Sequence, residues 1–197
     1  MLTLHYSVHF AQFILQDILF PPAPSQPTFL HSMKLNDACV MELGAGIGFL
    51  ATVLSPHTKQ YYATDIAALV PLMRKNISKT SSESSSIPKV VALDIDWVQL
   101  HTASPSWRSH AFLSLNADII ICCDCIYNAA LIPPLITTLN HYATPKTSVV
   151  IVAELRDEDV LREFLSSWLS SNNWEIWRLP ESKLGKRTIA WVGWIRR

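Results

Sequence analysis

Three of the chain's five glycines fall within the short stretch Glu42-Leu43-Gly44-Ala45-Gly46-Ile47-Gly48. One apolar run, 39–43, enters the cluster and a second, Phe49 to Leu54, leaves it. This is the pattern of a strand, a tight turn and a helix. Glycine reaches positive φ without a Cβ clash and lets a ligand approach the backbone. A helix behind the turn aims free N–H groups and its positive dipole end at the same point. In a chain so poor in glycine, the cluster implies a nucleotide-like ligand, or else a tight strand–helix connection that binds nothing.

The rest of the chain alternates in the same way. Strands are predicted over 39–43, 60–65, 90–93, 117–123, 148–153, 174–179 and 188–195. Helices are predicted within 1–20 and over 47–55, 67–79, 129–141 and 158–171. Residues 99–116 show no period and read as a loop with a turn of helix. The run 117–123 is continuously apolar, as expected for a strand covered on both faces. Strands alternating with helices imply right-handed crossovers and a parallel sheet. The last two strands lack a helix between them and read as a closing antiparallel pair around Gly185. The expected fold class is therefore α/β: a doubly wound, seven-stranded, mostly parallel sheet with a C-terminal antiparallel pair. The length fits one domain over 1–197. Within it, 1–27 reads as a leading helix and a Pro-rich linker, and 28–197 as the core. The Ser-rich run 78–86 reads as a surface loop.

Charge and cysteine usage exclude several partners. Sixteen basic residues balance sixteen acidic ones, so no global field attracts nucleic acid or an anionic membrane. No apolar stretch approaches the roughly 20 residues needed to span a bilayer. The first 20 residues lack a basic start and contain Gln12, Gln16 and Asp17, which argues against a signal peptide. Phe10, Phe13, Ile14 and Ile18 recur there at the spacing of a buried helix face. Three of the four cysteines, Cys122, Cys123 and Cys125, fall in one apolar run and read as small buried hydrophobes of a reducing compartment, the cytoplasm. Cys122 and Cys125 form a C-x-x-C, but a zinc site needs a second ligand pair and only Cys39 remains. No metal is expected.

The predicted strand ends carry the chemistry. The first ends at Glu42 and the glycine turn, the second at Asp65, the third at Asp94, Asp96 and Trp97, and the fourth at Asp124 with Tyr127 close behind. In a doubly wound sheet, ligands bind beyond these carboxyl ends. Asp65 suits a ribose diol, or alternatively caps the next helix. Trp97 stacks on a purine or plugs the core. Tyr127 faces a ligand or is a buried aromatic with a satisfied hydroxyl. A dinucleotide site spaces its glycines G-x-G-x-x-G, whereas this chain has G-x-G-x-G behind an acidic residue. Glu42 repels a pyrophosphate and suits a cationic amine. S-adenosylmethionine combines an adenosine, a ribose diol and an ammonium-bearing tail.

Glu42-Leu43-Gly44-Ala45-Gly46-Ile47-Gly48 resembles motif I of the seven-β-strand methyltransferases. Asp124-Cys125-Ile126-Tyr127 resembles the D-x-x-Y motif of methyltransferase family sixteen, whose characterised members are mostly protein-lysine methyltransferases. The stretch from Asp118 to Asn128 most resembles the fungal branch acting on a large-subunit ribosomal protein. The likeness runs over about residues 7–195. It implies S-adenosylmethionine as cofactor and transfer of a methyl group to a lysine ε-amine of a protein, with a ribosomal protein as the expected partner and a monomer as the expected state. By that likeness Gly44, Gly46 and Gly48 line the methionine end, with Glu42 near its amine. Asp65 holds the ribose and Trp97 the adenine, Asp96 beside it also binds the cofactor, and Asp124 and Tyr127 shape the methyl-transfer end and the lysine channel. Glu154-Leu155-Arg156 matches an acidic-x-Arg element on the substrate face, or Arg156 simply starts a helix. Ser7 to Leu15 resembles the helix after the family's T-G-x-x-x-W segment, which implies a domain shortened at its N-terminus: a truncated form, or a pocket more open than in relatives. Two other readings stand beside this one: a methyltransferase of small molecules or nucleic acid, although the N-P-P-Y signature of amino-purine methylation is absent, and a non-catalytic fold that binds the cofactor without turnover.

Overall fold

The computed structural model describes residues 3–20, 34–79, 89–111, 115–180, 184 and 187–196. The chain runs α1 (Thr3–Leu19), β1 (Cys39–Leu43), α2 (Phe49–Leu54), β2 (Gln60–Asp65), α3 (Val70–Ser78), β3 (Val90–Asp94), α4 (Trp97–Thr102), α5 (Pro105–Ala111), β4 (Ile119–Cys123), α6 (Ile132–Tyr142), β5 (Ser148–Glu154), α7 (Glu158–Ser171), β6 (Trp174–Arg178) and β7 (Thr188–Ile195). The strands form one sheet of order β3-β2-β1-β4-β5-β7-β6. β3, β2, β1, β4 and β5 are parallel neighbours, and β7 is antiparallel to both β5 and β6. The chain reverses its walk along the sheet between β3 and β4. The switch point therefore lies at β1/β4, where the glycine turn leaves the sheet.

The sheet is buried on both faces, and side-chain alternation sorts its residues between two cores. On one side Val40, Ile119, Ile121 and Val150 meet Phe10 and Ile14 of α1 and Leu50 of α2. On the other, Met41, Ile120, Cys122 and Ile151 meet Leu135 and Leu139 of α6 and Phe164 and Trp168 of α7. The predicted face of α1 is the buried one, with Phe10 and Ile14 inside and Phe13 and Ile18 packed at its margin.

The structure corrects two expectations and gives the closing strand pair its order. Residues 97–111 hold two short helices rather than a loop with one turn. Asp96 caps α4 by accepting from the N–H groups of Val98 and Gln99, and Pro105 opens α5 behind Ser104, whose Oγ accepts from the Trp107 N–H. Helices of six and seven residues are too short to print a period on the sequence. α2 begins at Phe49 rather than 47, because the turn consumes Gly46 to Gly48. The last two strands are an antiparallel pair as expected, but β7 slots between β5 and β6, so the final strand is interior and the penultimate one is the edge. The Pro-rich linker, most of the Ser-rich run and the Gly185 turn lie outside the described residues.

Candidate active site

The ends of β1 to β4 enclose a cavity of about 500 Å³. Eight of the nine residues singled out by sequence line it: Glu42, Gly44 and Gly46 from β1 and its turn, Asp65 from β2, Asp96 and Trp97 from the β3 connection, and Asp124 and Tyr127 after β4. Gly48 is the exception and a correction. It stands at φ +80° as the residue before α2, and a Cβ there meets Met73 Cγ at 2.9 Å. Its lack of a side chain serves the α2–α3 contact rather than the cavity.

The other two glycines differ from each other. Gly44, at φ +71°, is hemmed in: a Cβ would stand 2.6 Å from Cys125 Sγ and 3.3 Å from Trp97 Cη2. Gly46, at φ +57°, has no atom of the described residues, its chain neighbours aside, within 4 Å of its Cβ direction. Only there does the turn present bare backbone to open space. Protein acceptors already hold three amides of the turn. Ala45 N–H donates to Thr64 O (2.9 Å), Gly46 N–H to Asp65 Oδ2 (2.7 Å) and Gly48 N–H to Ala45 O (2.8 Å). A pyrophosphate nest needs such amides free. This turn is a shaped wall flanked by carboxylates.

Glu42 lies at the cavity floor and is almost wholly buried. Tyr61 Oη donates to its Oε2 (2.9 Å), and the Ala51 N–H in the first turn of α2 also donates to it. Burial nevertheless outweighs both and pushes the carboxyl from 4.5 to about 7, with the nearby Asp65 charge adding to the rise. The carboxyl is thus only part-ionised near neutral pH, and a cation beside it would favour the charged form. Asp65 is not a helix cap, since α3 starts at Val70. Its Oδ2 holds Gly46 and its Oδ1 accepts from the Ile66 N–H (2.8 Å). Each carboxylate oxygen accepts about two hydrogen bonds, so each keeps one free for a ligand hydroxyl. Asp96 caps α4 through Oδ1 alone. Trp97 presses one ring edge onto Gly44, and its buried Nε1 has no partner among the described residues.

Opposite the turn, Asp124 sits at φ +57°, a left-handed conformation that a non-glycine residue rarely adopts. Its N–H is fixed to Val152 O (2.7 Å). Its Oδ1 pairs with Arg156, while Oδ2 is buried without a partner among the described residues. Burial raises the Asp124 carboxyl, and the Arg156 guanidinium opposes that rise. Arg156 also reaches Glu154 Oε2 (3.3 Å), and its guanidinium carbon lies 6.0 Å from the centroid of the half-exposed Tyr127 ring. The Glu154-x-Arg156 element therefore belongs to the site rather than merely preceding α7. Sequence reasoning missed its supports. Tyr6 of α1 donates its hydroxyl to Glu154, Arg187 sits 3.7 Å from Glu154 Oε1, and Ser7 lines the cavity and contacts Cys123 Sγ (3.7 Å). Tyr6 and Arg187 lie in no motif, and only the fold brings them here.

All four cysteines are free thiols; Cys122, Cys123 and Cys125 are buried, as their apolar surroundings imply. Among the described residues no group of three or more metal-ligating side chains converges, and no helix is long and apolar enough to cross a membrane.

Comparison with known proteins agrees with this geometry. Ribosomal lysine N-methyltransferase 5 of Eremothecium gossypii is 27% identical over 189 residues, covering 82% of this chain and 58% of that protein. Protein-lysine methyltransferase METTL21E of Bos taurus is 29% identical over 133 residues, covering 66% of this chain and 43% of that protein. The chain spans about half the length of the curated relatives it matches. Among solved structures, the mitomycin 7-O-methyltransferase MmcR superposes with a TM-score of 0.64 at 10% identity, over 99% of this chain and 54% of that one. Magnesium protoporphyrin IX methyltransferase of Synechocystis PCC 6803, solved with bound SAM, gives 0.59 at 14% identity, over 96% of this chain and 81% of that one. These likenesses show a Rossmann-like methyltransferase fold. The profile of the lysine methyltransferase family matches residues 5–170, and the chain belongs to that family.

Proposed function

We propose that this protein binds S-adenosylmethionine in the cavity and transfers its methyl group to the ε-amine of a lysine on a protein substrate. The observation that carries this reading is the pairing of two features across one cavity. On one side stands a glycine turn with three amides already held, which Asp65 and Glu42 flank with carboxylates. On the other stands Asp124, with a buried acceptor oxygen unspent. The first disfavours a phosphate and suits a nucleoside with an ammonium tail. The second suits an amine.

The residues fit that cofactor. The remaining acceptors of Asp65 match two ribose hydroxyls, and the open side of Gly46 leaves room for the chain between ribose and amine. Ile47, Ile66 and Val98 form a part-exposed apolar lip suited to a base, beside Trp97 and the free Oδ2 of Asp96. Glu42 ionises against the ammonium group. The cofactor supplies a methyl group already activated on a sulfonium, so the protein's task is to deliver a neutral amine in line with it and to exclude water. Asp124 Oδ2 accepts a hydrogen bond from the lysine amine and fixes its direction. Arg156 neutralises Asp124, so the carboxylate does not hold the lysine as an ammonium ion. The exposed Tyr127 ring walls the lysine's aliphatic stem. The amine's proton leaves through the mouth to water, and no dedicated base is required.

The ribosomal lysine methyltransferases among its relatives support a ribosomal protein as substrate, and hence action in the cytoplasm. Calorimetry with S-adenosylhomocysteine and labelling of ribosomal against ribosome-depleted extracts with tritiated S-adenosylmethionine test both parts. Binding, with label recovered as methyl-lysine from a protein and lost in Asp124→Ala, is expected. Failure to bind refutes the cofactor reading, and label confined to RNA or metabolites refutes the lysine reading.

A further inference from the structure

The end of β2 grips the glycine turn at three successive points. Thr64 Oγ1 donates to Glu42 O (2.7 Å), Thr64 O accepts from the Ala45 N–H (2.9 Å), and Asp65 Oδ2 accepts from the Gly46 N–H (2.7 Å). The last of these is charge-assisted and short. It is also the side-chain bond made to Gly46, the glycine at positive φ with nothing packed against its Cβ direction. Packing holds Gly44 between Cys125 and Trp97, and packing holds Gly48 against Met73 and Ile77. Gly46 has no such neighbours. Its conformation is set by the Gly48 N–H to Ala45 O bond that closes the turn across it and by the carboxylate of Asp65.

We infer that Asp65 is a positioning residue for the amino-acid end of the cofactor, acting through the amide of Gly46, in addition to any contact it makes with the ribose. This rests on the cofactor reading above. The two oxygens of Asp65 divide the work: Oδ2 fixes the turn and Oδ1 fixes the start of the following connection at Ile66. Both keep one acceptor directed elsewhere. A ligand hydroxyl bound there meets a carboxylate whose orientation is already locked to the turn. The nucleoside end and the tail end of the ligand are thus registered against each other by one side chain. Loss of the carboxylate removes the side-chain bond to the Gly46 amide and loosens that peptide, so the wall that receives the tail loses definition although no residue contacting the tail has changed.

The prediction separates cleanly from a ribose contact alone. S-adenosylhomocysteine carries both ribose and amino-acid tail, whereas 5′-methylthioadenosine carries the ribose and lacks the tail. Binding of each to wild type, the isosteric Asp65→Asn and Asp65→Ala is measured by calorimetry, and exchange of the Gly46 amide is followed by NMR in the ligand-free protein. Asp65→Ala is expected to weaken S-adenosylhomocysteine roughly tenfold more than it weakens methylthioadenosine, the scale of one charge-assisted hydrogen bond. Gly46 exchange is expected to accelerate about tenfold in the same variant, with Asp65→Asn intermediate in both because its single carbonyl can serve Gly46 or Ile66 but not both with full strength. Equal loss for the two nucleosides, or unchanged exchange at Gly46, overturns the inference and leaves the cofactor reading intact. Failure of wild type to bind either nucleoside overturns both.

Discussion

Replacing Glu42 by glutamine should stabilise the ligand-free protein above neutral pH while impairing the site. Burial holds the carboxyl near 7 against an ordinary value of 4.5, a difference of roughly 3 kcal/mol at 1.36 kcal/mol per tenfold. The sign follows from proton counts. Between these two values the unfolded chain has lost its proton and the folded chain has kept it, so the folded state binds more protons and its stability falls as pH rises. The contribution is whole below about pH 4.5 and is lost by the time pH passes 7. Between pH 5 and pH 8 the wild type should therefore lose about 2.5 kcal/mol relative to Glu42→Gln. Glutamine keeps an acceptor for the Tyr61 hydroxyl, so the local hydrogen bond survives. Urea unfolding of both proteins at the two pH values measures the difference, and taking the difference between variants cancels every other titrating group. A gap between variants that is the same at pH 5 and pH 8 refutes the reasoning. The same substitution should weaken S-adenosylhomocysteine, because the ammonium group loses its counter-charge.

The glycines give a second contrast. Gly48→Ala forces a Cβ to 2.9 Å from Met73 Cγ at φ +80° and should destabilise by about 1–3 kcal/mol, read as a melting temperature about 2–12 °C lower, with ligand affinity of the folded fraction unchanged. Gly46→Ala meets no atom of the described residues beyond its chain neighbours and should cost only about 1–2 kcal/mol from its positive φ, yet its methyl enters the cavity and should weaken S-adenosylhomocysteine by more than tenfold. Arg156→Gln leaves the buried Asp124 carboxylate without its charge partner. Because the arginine is about one-third exposed, a loss of about 1–2 kcal/mol is expected in thermal unfolding, with most of it recovered in Arg156→Gln/Asp124→Asn. A double variant no better than the single one refutes that pairing.

What the sequence disclosed was local, and what it concealed was tertiary. The glycine cluster, the apolar run through β4 and the acidic residues at strand ends are contiguous signals, and they located the sheet, its switch point and most of the cavity. The role of Gly48 was not legible, because spacing cannot tell whether a missing Cβ faces a ligand or the methionine of a neighbouring helix. Glu42 read as a full charge because burial on every side is a property of the assembled sheet. Asp65 offered two readings, ribose partner and helix cap, and neither anticipated its bond to Gly46. Tyr6 and Arg187 approach Glu154 from opposite ends of the chain, so no window of sequence contains them together.

α1 gives the cavity a history as well as a wall. Ser7 meets Cys123 across 116 residues of chain, and Tyr6 reaches still further to Glu154. Closing a loop of that length costs on the order of 4 kcal/mol in chain entropy before any contact rewards it. The helix is synthesised before every strand it touches, and these two contacts need β4 and β5 in place. The wall that α1 lends the cavity therefore rests on contacts between residues far apart in the chain. A ligand that needs the finished cavity holds those distant segments together, and its stabilisation grows with the logarithm of its concentration once that exceeds Kd.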